Sequence, residues 1–241
     1  MKKAKLRILI DKLYLNFGTP FRIKRNRPGI LDVLIATKLS QNTTDKSSYK
    51  AFTGLKDKFS GWEEVSEASP EQIKNCIRVC GLVNTKSREI KEMLLLMKKN
   101  YGCLDLNFLN KFVDEKVYEE LLQYKGIGKK TVSCVLVFAM GRDAFPVDTH
   151  VHRVLNRTGI VRTNTPEKTF EEMNNNIPAG KKYFLHSGLI KFGRNICRSK
   201  NPLCGKCFFY GECGFSEKKF YSNKPVPAEI KENNFIILEN L

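Results

Sequence analysis

Apolar residues recur at three- and four-residue intervals along most of the chain, and no segment alternates at the two-residue period of a half-buried strand. Over residues 5–17, Leu6, Ile10, Leu13 and Phe17 share one helical face. Residues 29–39 are apolar almost throughout, as in a buried helix, and over 45–59 Tyr49, Phe52, Leu55 and Phe59 line up. Further helical patterns cover residues 85–99, 114–123, 129–140, 149–158 and 182–193. Helix starts are marked locally. Ser69-Pro70-Glu71-Gln72 joins an N-cap, a proline at the first helical position and a glutamine that can bond back to the cap, and Thr165-Pro166-Glu167 repeats the cap and proline. The pattern predicts an all-α protein. Residues 222–241, with Pro225 and Pro227, read as an irregular C-terminal tail containing one short apolar run.

With 241 residues, 41% of them hydrophobic, the chain can bury a core sufficient for one large or two small domains. It carries 42 Lys and Arg against 25 Asp and Glu, a net charge of +17. A field of that sign concentrates polyanions, so nucleic acid is the first partner to consider and an acidic membrane surface the second. The membrane is the weaker reading, because the longest apolar runs, such as residues 135–139, fall far short of the roughly 20 residues that span a bilayer. The N-terminal segment lacks a continuous apolar stretch and a small-residue cleavage site, so no secretory signal is expected and the protein reads as intracellular. The charge is unevenly placed. Residues 1–28 hold nine basic residues and one acid, and residues 181–224 hold ten and two, whereas 29–180 hold 22 and 19.

The middle of the chain contains Tyr124-Lys125-Gly126-Ile127-Gly128-Lys129-Lys130-Thr131, where one helix ends in a glycine turn and another begins at once. Gly126 and Gly128 permit positive φ and leave no Cβ in front of the backbone, so the amides of the turn and of the next helix's first turn can meet a phosphate. Ile127 would plug the turn into the core. Such an element holds DNA by its backbone without reading sequence. Alone, the glycine turn reads more often as a simple corner between helices; Lys129 and Lys130 add either phosphate contacts or an amine nucleophile. Downstream, in Phe145-Pro146-Val147-Asp148-Thr149-His150, Asp148 occupies a helix N-cap, and a carboxylate so held is also suited to acid/base work. His150 and His152 point to opposite sides of that helix and cannot share a metal.

Eight cysteines in an intracellular chain argue against a disulfide framework. Four of them, Cys197-x6-Cys204-x2-Cys207-x5-Cys213, lie in one glycine- and proline-rich loop. Structural zinc usually takes close pairs of ligands separated by a longer stretch, whereas a cubane cluster accepts four irregularly spaced thiolates, so the spacing favours iron–sulfur with zinc as the alternative.

The hairpin glycines, Lys130, the F-P-V-D-T-H segment around Asp148 and the terminal cysteine pattern together resemble the endonuclease III family of helix-hairpin-helix DNA glycosylases, over nearly the whole chain. The resemblance implies two helical domains with a DNA cleft between them. One is a six-helix domain over 29–140 carrying the hairpin. The other is built from 1–28 and 141–221 and holds a [4Fe-4S] cluster on Cys197, Cys204, Cys207 and Cys213, with 222–241 left as the tail. It implies that Lys130 attacks C1′ of the damaged nucleotide, expels the base and nicks the strand by β-elimination from a Schiff base, and that Asp148 stabilises the cationic sugar and assists proton transfer. Relatives that lack the lysine only remove the base.

Leu39-Ser40-Gln41-Asn42-Thr43-Thr44-Asp45 resembles the family's L-S-x-Q-x-T-D loop, and Gly81-Leu82-Val83-Asn84-Thr85-Lys86 its G-L-Y-N-x-K wedge. Leu82 would then intercalate while Gln41 or Asn42 fills the vacated space, with Asn84, Gly126, Gly128, Lys129 and His150 as further DNA contacts. The family pattern has Leu-Pro before the hairpin where this chain has Tyr124-Lys125, and its filling glutamine falls at Asn42, differences that bear on the lesion more than on the reaction. The L-S-Q-N-T-T-D string also resembles plant 5-methylcytosine glycosylases. The expected activity is a bifunctional DNA glycosylase and AP lyase acting on oxidised pyrimidines. The alternatives are removal of uracil or thymine mismatched with guanine, of 5-methylcytosine or of an oxidised purine, or a non-catalytic iron–sulfur DNA-binding module. The implied partner is duplex DNA with a damaged base or abasic site, bound by a monomer in a prokaryotic cytoplasm and nucleoid or in a eukaryotic nucleus.

Overall fold

The computed structural model describes residues 2–18, 27–226 and 233–241. Among these the regular structure is helical: α1 (Lys2–Phe17), α2 (Ile30–Leu39), α3 (Asp45–Lys58), α4 (Trp62–Glu67), α5 (Pro70–Cys76), α6 (Val83–Tyr101), α7 (Asp114–Leu122), α8 (Lys129–Cys134), α9 (Thr149–Thr158), α10 (Pro166–Asn174), α11 (Lys182–Asn195) and α12 (Lys218–Ser222), joined in places by short 3-10 turns. No described helix is long and apolar enough to cross a membrane. The caps read from sequence form. Ser69 accepts from the Gln72 amide while the Gln72 side chain accepts from the Ser69 amide, and Thr165 accepts from the Lys168 amide.

The chain divides into two compact units, Ile23–Arg142 with Phe235–Leu241, and Met1–Arg22 with Asp143–Asn234. In the first, α2 is the centre. It is buried along its whole apolar length and packs on α3, α6 and α8, while α6 presents Ile90, Met93, Leu94 and Met97 inward and turns its charges outward except for Lys86. Residues 129–140, expected as one α-helix, change character: Val135–Ala139 is π-helical. Just beyond it, the Arg27 guanidinium donates to the Met140 carbonyl (3.1 Å). The six-residue α4 carries too few residues for periodicity to reveal it; its Trp62 is buried against Phe52 and donates to Asp32 (3.0 Å).

In the second unit α11 packs against both α1 and α9, with α10 also on α9. Leu9, Leu13, Val151, Leu155, Leu185 and Leu189 are fully buried there, each fixing about 1.5–3 kcal/mol of apolar transfer energy. The stretch expected as a single irregular tail is not one piece. α12 ends at Ser222, Pro227 lies outside the described residues, and Phe235–Leu241 belong to the hairpin-bearing unit. There Phe235 meets Tyr49 edge-on at 5.6 Å, and Ile236, Ile237 and Leu238 are buried beside α2 and α3. An apolar run of that size is stable only when covered.

Candidate nucleic-acid and catalytic site

In the hairpin-bearing unit, α7 ends at Leu122 and α8 starts at Lys129, with Ile127 donating to Tyr124 O (3.0 Å) to close the turn and its side chain buried. The two glycines differ. Gly126 lies at φ +82°, and a Cβ there would meet Lys38 Nζ at 2.5 Å. Gly128 has an ordinary extended backbone, φ −108°, so the expected positive φ does not occur at this position. It is the α8 N-cap, and a Cβ on it would meet nothing within 4 Å. Its contribution is open space in front of the helix start. Lys130 is half-buried in the first turn of α8, next to Lys129.

Two further loops adjoin the turn. Gln41 Nε2 donates to Gly126 O (3.4 Å), and Lys38, its side chain only 3% exposed, donates to Lys125 O (3.5 Å) and pairs with Glu89 (3.0 Å). Gln41, Asn42, Leu82 and Asn84 are exposed. Leu82 is 58% exposed, and Val79 beside it 52%, in a protein that buries most of its large apolar side chains. Asn42 (φ +53°) and Leu82 (φ +48°) are two of the three described non-glycine residues with positive φ. A leucine held left-handed and turned to solvent is a costly conformation of the sort that persists at functional sites. Lys86, which closes the wedge motif in the sequence but had no role assigned there, is 4% exposed and donates to Leu39 O (2.7 Å) and Cys80 O (3.2 Å). Its spacing was a signal: Lys86, Ile90, Met93 and Met97 fall on one stripe of α6, so the lysine sits on the buried face.

Asp148 belongs to the other unit. It is the N-cap of α9, accepting from the Val151 amide (2.8 Å), and is partly exposed. His150 and His152 diverge as expected. His150 Nδ1 faces the Arg153 guanidinium (3.1 Å), and His152 Nδ1 lies 2.7 Å from Thr169 Oγ1; burial lowers the His152 pKa, opposed by Glu167.

The same unit holds the four-cysteine loop. Cys197 follows α11, with its amide bonded to Phe192 O (2.8 Å). The 3-10 turn Cys204–Lys206 carries the next thiol, and chained turns continue through Cys207 and Tyr210 to Cys213. Cations surround it: Arg157 donates to Arg198 O (2.6 Å), approaches Cys197 Sγ (3.9 Å) and stacks on Phe215, while Lys218 donates to Tyr210 O and Cys213 O (2.9 and 2.8 Å). Burial raises the Cys197 and Cys204 thiols and pushes Cys207 up to about 12, and the neighbouring cysteines add to the rise at Cys204 and Cys207. All four thiols are free, and among the described residues no three His, Cys, Asp or Glu side chains converge on a single-ion site. Four thiols in one loop, with Arg153, Arg157 and Lys218 placed to favour the ionised form, are a donor set whose chemistry suits a metal assembly that binds thiolate.

Residues 35–179 match the family described as HhH-GPD superfamily base excision DNA repair protein. Endonuclease III of Thermotoga maritima is 35% identical over 187 residues, covering 78% of this chain and 84% of that protein. Among solved structures, a non-covalent endonuclease III–DNA complex superposes with a TM-score of 0.77 at 26% identity, covering 92% of this chain and 99% of that one. A trapped endonuclease III–DNA covalent intermediate superposes equally well, with a TM-score of 0.77 at 26% identity, over 90% and 98% of the two chains. A hairpin unit and a cysteine-loop unit of this construction, matched over most of both chains, show that the protein belongs to the endonuclease III family of helix-hairpin-helix base excision repair enzymes.

Proposed function

We propose that the chain removes damaged pyrimidines from duplex DNA as a bifunctional glycosylase and AP lyase, with Lys130 as the attacking amine and Asp148 as the carboxylate that serves it. The observation that carries this reading is the position of Lys130, in the first turn of the helix that the glycine hairpin introduces. A hairpin that grips backbone phosphate brings the next helical turn to the sugar of the same strand. The Nζ lone pair of Lys130 adds to C1′, the base leaves with the glycosidic electrons and takes up a proton, and the sugar ring then opens, its C1′–O4′ bond breaking and O4′ taking up a proton, to give an imine. Abstraction of a C2′ proton then expels the 3′ phosphate and nicks the strand. Asp148, held by its cap bond to Val151, supplies negative charge as the sugar becomes cationic and accepts or returns the protons in transit.

Leu82 and Asn42 are read as the side chains that enter the duplex when the target nucleotide leaves it, with Gln41, Asn84, Gly126, Gly128, Lys129 and His150 as surrounding DNA contacts. Support comes from the exposure of Leu82 and the left-handed backbone at both positions. Extrusion costs a few kcal/mol of lost stacking, which side chains filling the space offset in part. Cys197, Cys204, Cys207 and Cys213 would hold a [4Fe-4S] cluster. When bound it supplies a crosslink of a cationic loop, not bond-making chemistry.

The test is borohydride trapping on duplexes with one lesion each. A covalent adduct is expected with an abasic site and with thymine glycol, lost in Lys130→Ala. No adduct with the unaltered protein, or one that survives the substitution, would refute the lyase assignment. Faster release of mismatched uracil, 5-methylcytosine or oxidised guanine than of thymine glycol would reassign the substrate.

A further inference from the structure

Lys86 is a buried cation that the proposed chemistry does not use. It is 4% exposed, and its electrostatic surroundings among the described residues contain a thiol, Cys80, and no carboxylate. Desolvation pulls its pKa down. An apolar side chain on the inner stripe of α6 would avoid that penalty, so the charge calls for a reason. Its two hydrogen bonds supply one. The carbonyl of Leu39 is the last of α2, a group without an intrahelical partner at the negative end of the helix dipole, and the carbonyl of Cys80 is the last of the 3-10 turn Arg78–Cys80. Both stand where the chain leaves regular structure. Asn42 lies three residues beyond the first and Leu82 two residues beyond the second, and these are the two described non-glycine residues of the unit with positive φ.

We propose that Lys86 is a positioning residue for base extrusion, its ammonium tying together the roots of the wedge loop and the filling loop so that Leu82 and Asn42 enter the duplex in a fixed relation. The inference rests on the reading of those two side chains as the ones that penetrate DNA. Two loops that must meet at one base step gain from a common anchor, because the spacing of base pairs is fixed and neither loop carries a bond to the other through its own tip. A single ammonium bonded to both roots sets that spacing before DNA arrives, as a supporting residue does for any preorganised site.

A role in penetrating the stack separates from a role in folding by substrate. Single-turnover strand cleavage is measured for the cluster-loaded protein on an abasic site in duplex DNA and on the same site in a single-stranded oligonucleotide, which offers no stack to open. Lys86→Met is expected to lose tenfold or more on the duplex and less than twofold on the single strand. Lys86→Gln, whose shorter amide cannot reach both carbonyls and which is neutral when buried, should show the same selectivity and serves where the methionine variant does not fold. In the Lys86→Gln/Leu82→Ala double variant the duplex rate should match the slower single variant within twofold, since the two act in one step. Equal losses on the two substrates, no loss in Lys86→Gln, or losses that multiply in the double variant would overturn the inference. Leu82→Ala alone separates the failures. If it leaves duplex cleavage unchanged, the wedge reading falls and takes the inference with it; if it slows the duplex reaction selectively while the Lys86 variants do not, only the inference falls.

Discussion

The hairpin's two glycines make different demands, and alanine at each should separate stability from DNA affinity. At Gly126 the backbone is at φ +82°, and the added methyl carbon would stand 2.5 Å from Lys38 Nζ. A left-handed alanine costs about 1–2 kcal/mol. Displacing the Lys38 ammonium weakens its 3.0 Å pair with Glu89 in a setting where that lysine is 3% exposed, and a charge-assisted contact of this kind contributes about 1.5–3 kcal/mol. Partial relaxation of the long lysine side chain offsets some of this, which leaves a net loss of about 2–4 kcal/mol, a melting temperature lower by about 5–15 °C for a chain of this size. Gly128→Ala meets neither obstacle, because its φ is −108° and nothing lies within 4 Å. Its stability should change by no more than about 0.5 kcal/mol, a slightly poorer cap set against a stiffer unfolded chain. Its methyl group would instead occupy the space through which a phosphate approaches. Loss of one backbone-to-phosphate hydrogen bond, about 1.5–3 kcal/mol, weakens binding about ten- to a hundredfold. The measurements are thermal unfolding followed by circular dichroism, and fluorescence anisotropy on a duplex bearing a non-cleavable abasic analogue. A Gly126→Ala protein that melts with the wild type would refute the argument from positive φ and Lys38. Unchanged affinity in Gly128→Ala would refute the claim that this glycine keeps a phosphate path open.

Asp148 carries two roles that substitution can divide: Asp148→Asn keeps an N-cap acceptor and should unfold within about 0.5 kcal/mol of wild type, yet lose most base-release activity, whereas Asp148→Ala should lose both activity and about 1 kcal/mol of cap stability. Equal activity in Asp148→Asn would show that the carboxylate charge is not needed. The cluster-loaded protein should be brown, and Cys207→Ser should bleach the visible thiolate-to-iron absorption and lower the melting temperature; a colourless wild type with stoichiometric zinc would replace the iron assignment. Binding to undamaged duplex should weaken steeply with salt, with a log–log slope steeper than about −3, equivalent to more than roughly three phosphates neutralised, and a flat dependence would contradict the cationic surface as the source of affinity.

The features legible in the sequence are those set by neighbours a few residues apart. The caps at Ser69, Thr165 and Asp148 depend on hydrogen bonds across three residues, and the hairpin's shape on a glycine where φ must be positive. The clustering of Cys197, Cys204, Cys207 and Cys213 is likewise local, which is why spacing could suggest a shared ligand. Helical periodicity exposed the apolar faces of α1, α3 and α6 for the same reason: a helix repeats its environment every three to four residues. What only the tertiary structure decided comes from contacts between residues far apart in the chain. Lys86 bonds to Leu39, 47 residues away; its place on the apolar stripe of α6 marks it as buried, but no local pattern names the carbonyls it reaches. The short apolar run at Phe235–Leu241 looked like part of a tail until its burial beside α2 and α3 placed it in the hairpin-bearing unit. Even Leu82 was identified only by its motif, since an isolated leucine carries no mark of exposure. Sequence determined the longer helices, their caps and which chemical groups are present; burial, which acts through space without regard to chain order, decided which of those groups support the loops and which stand open to DNA.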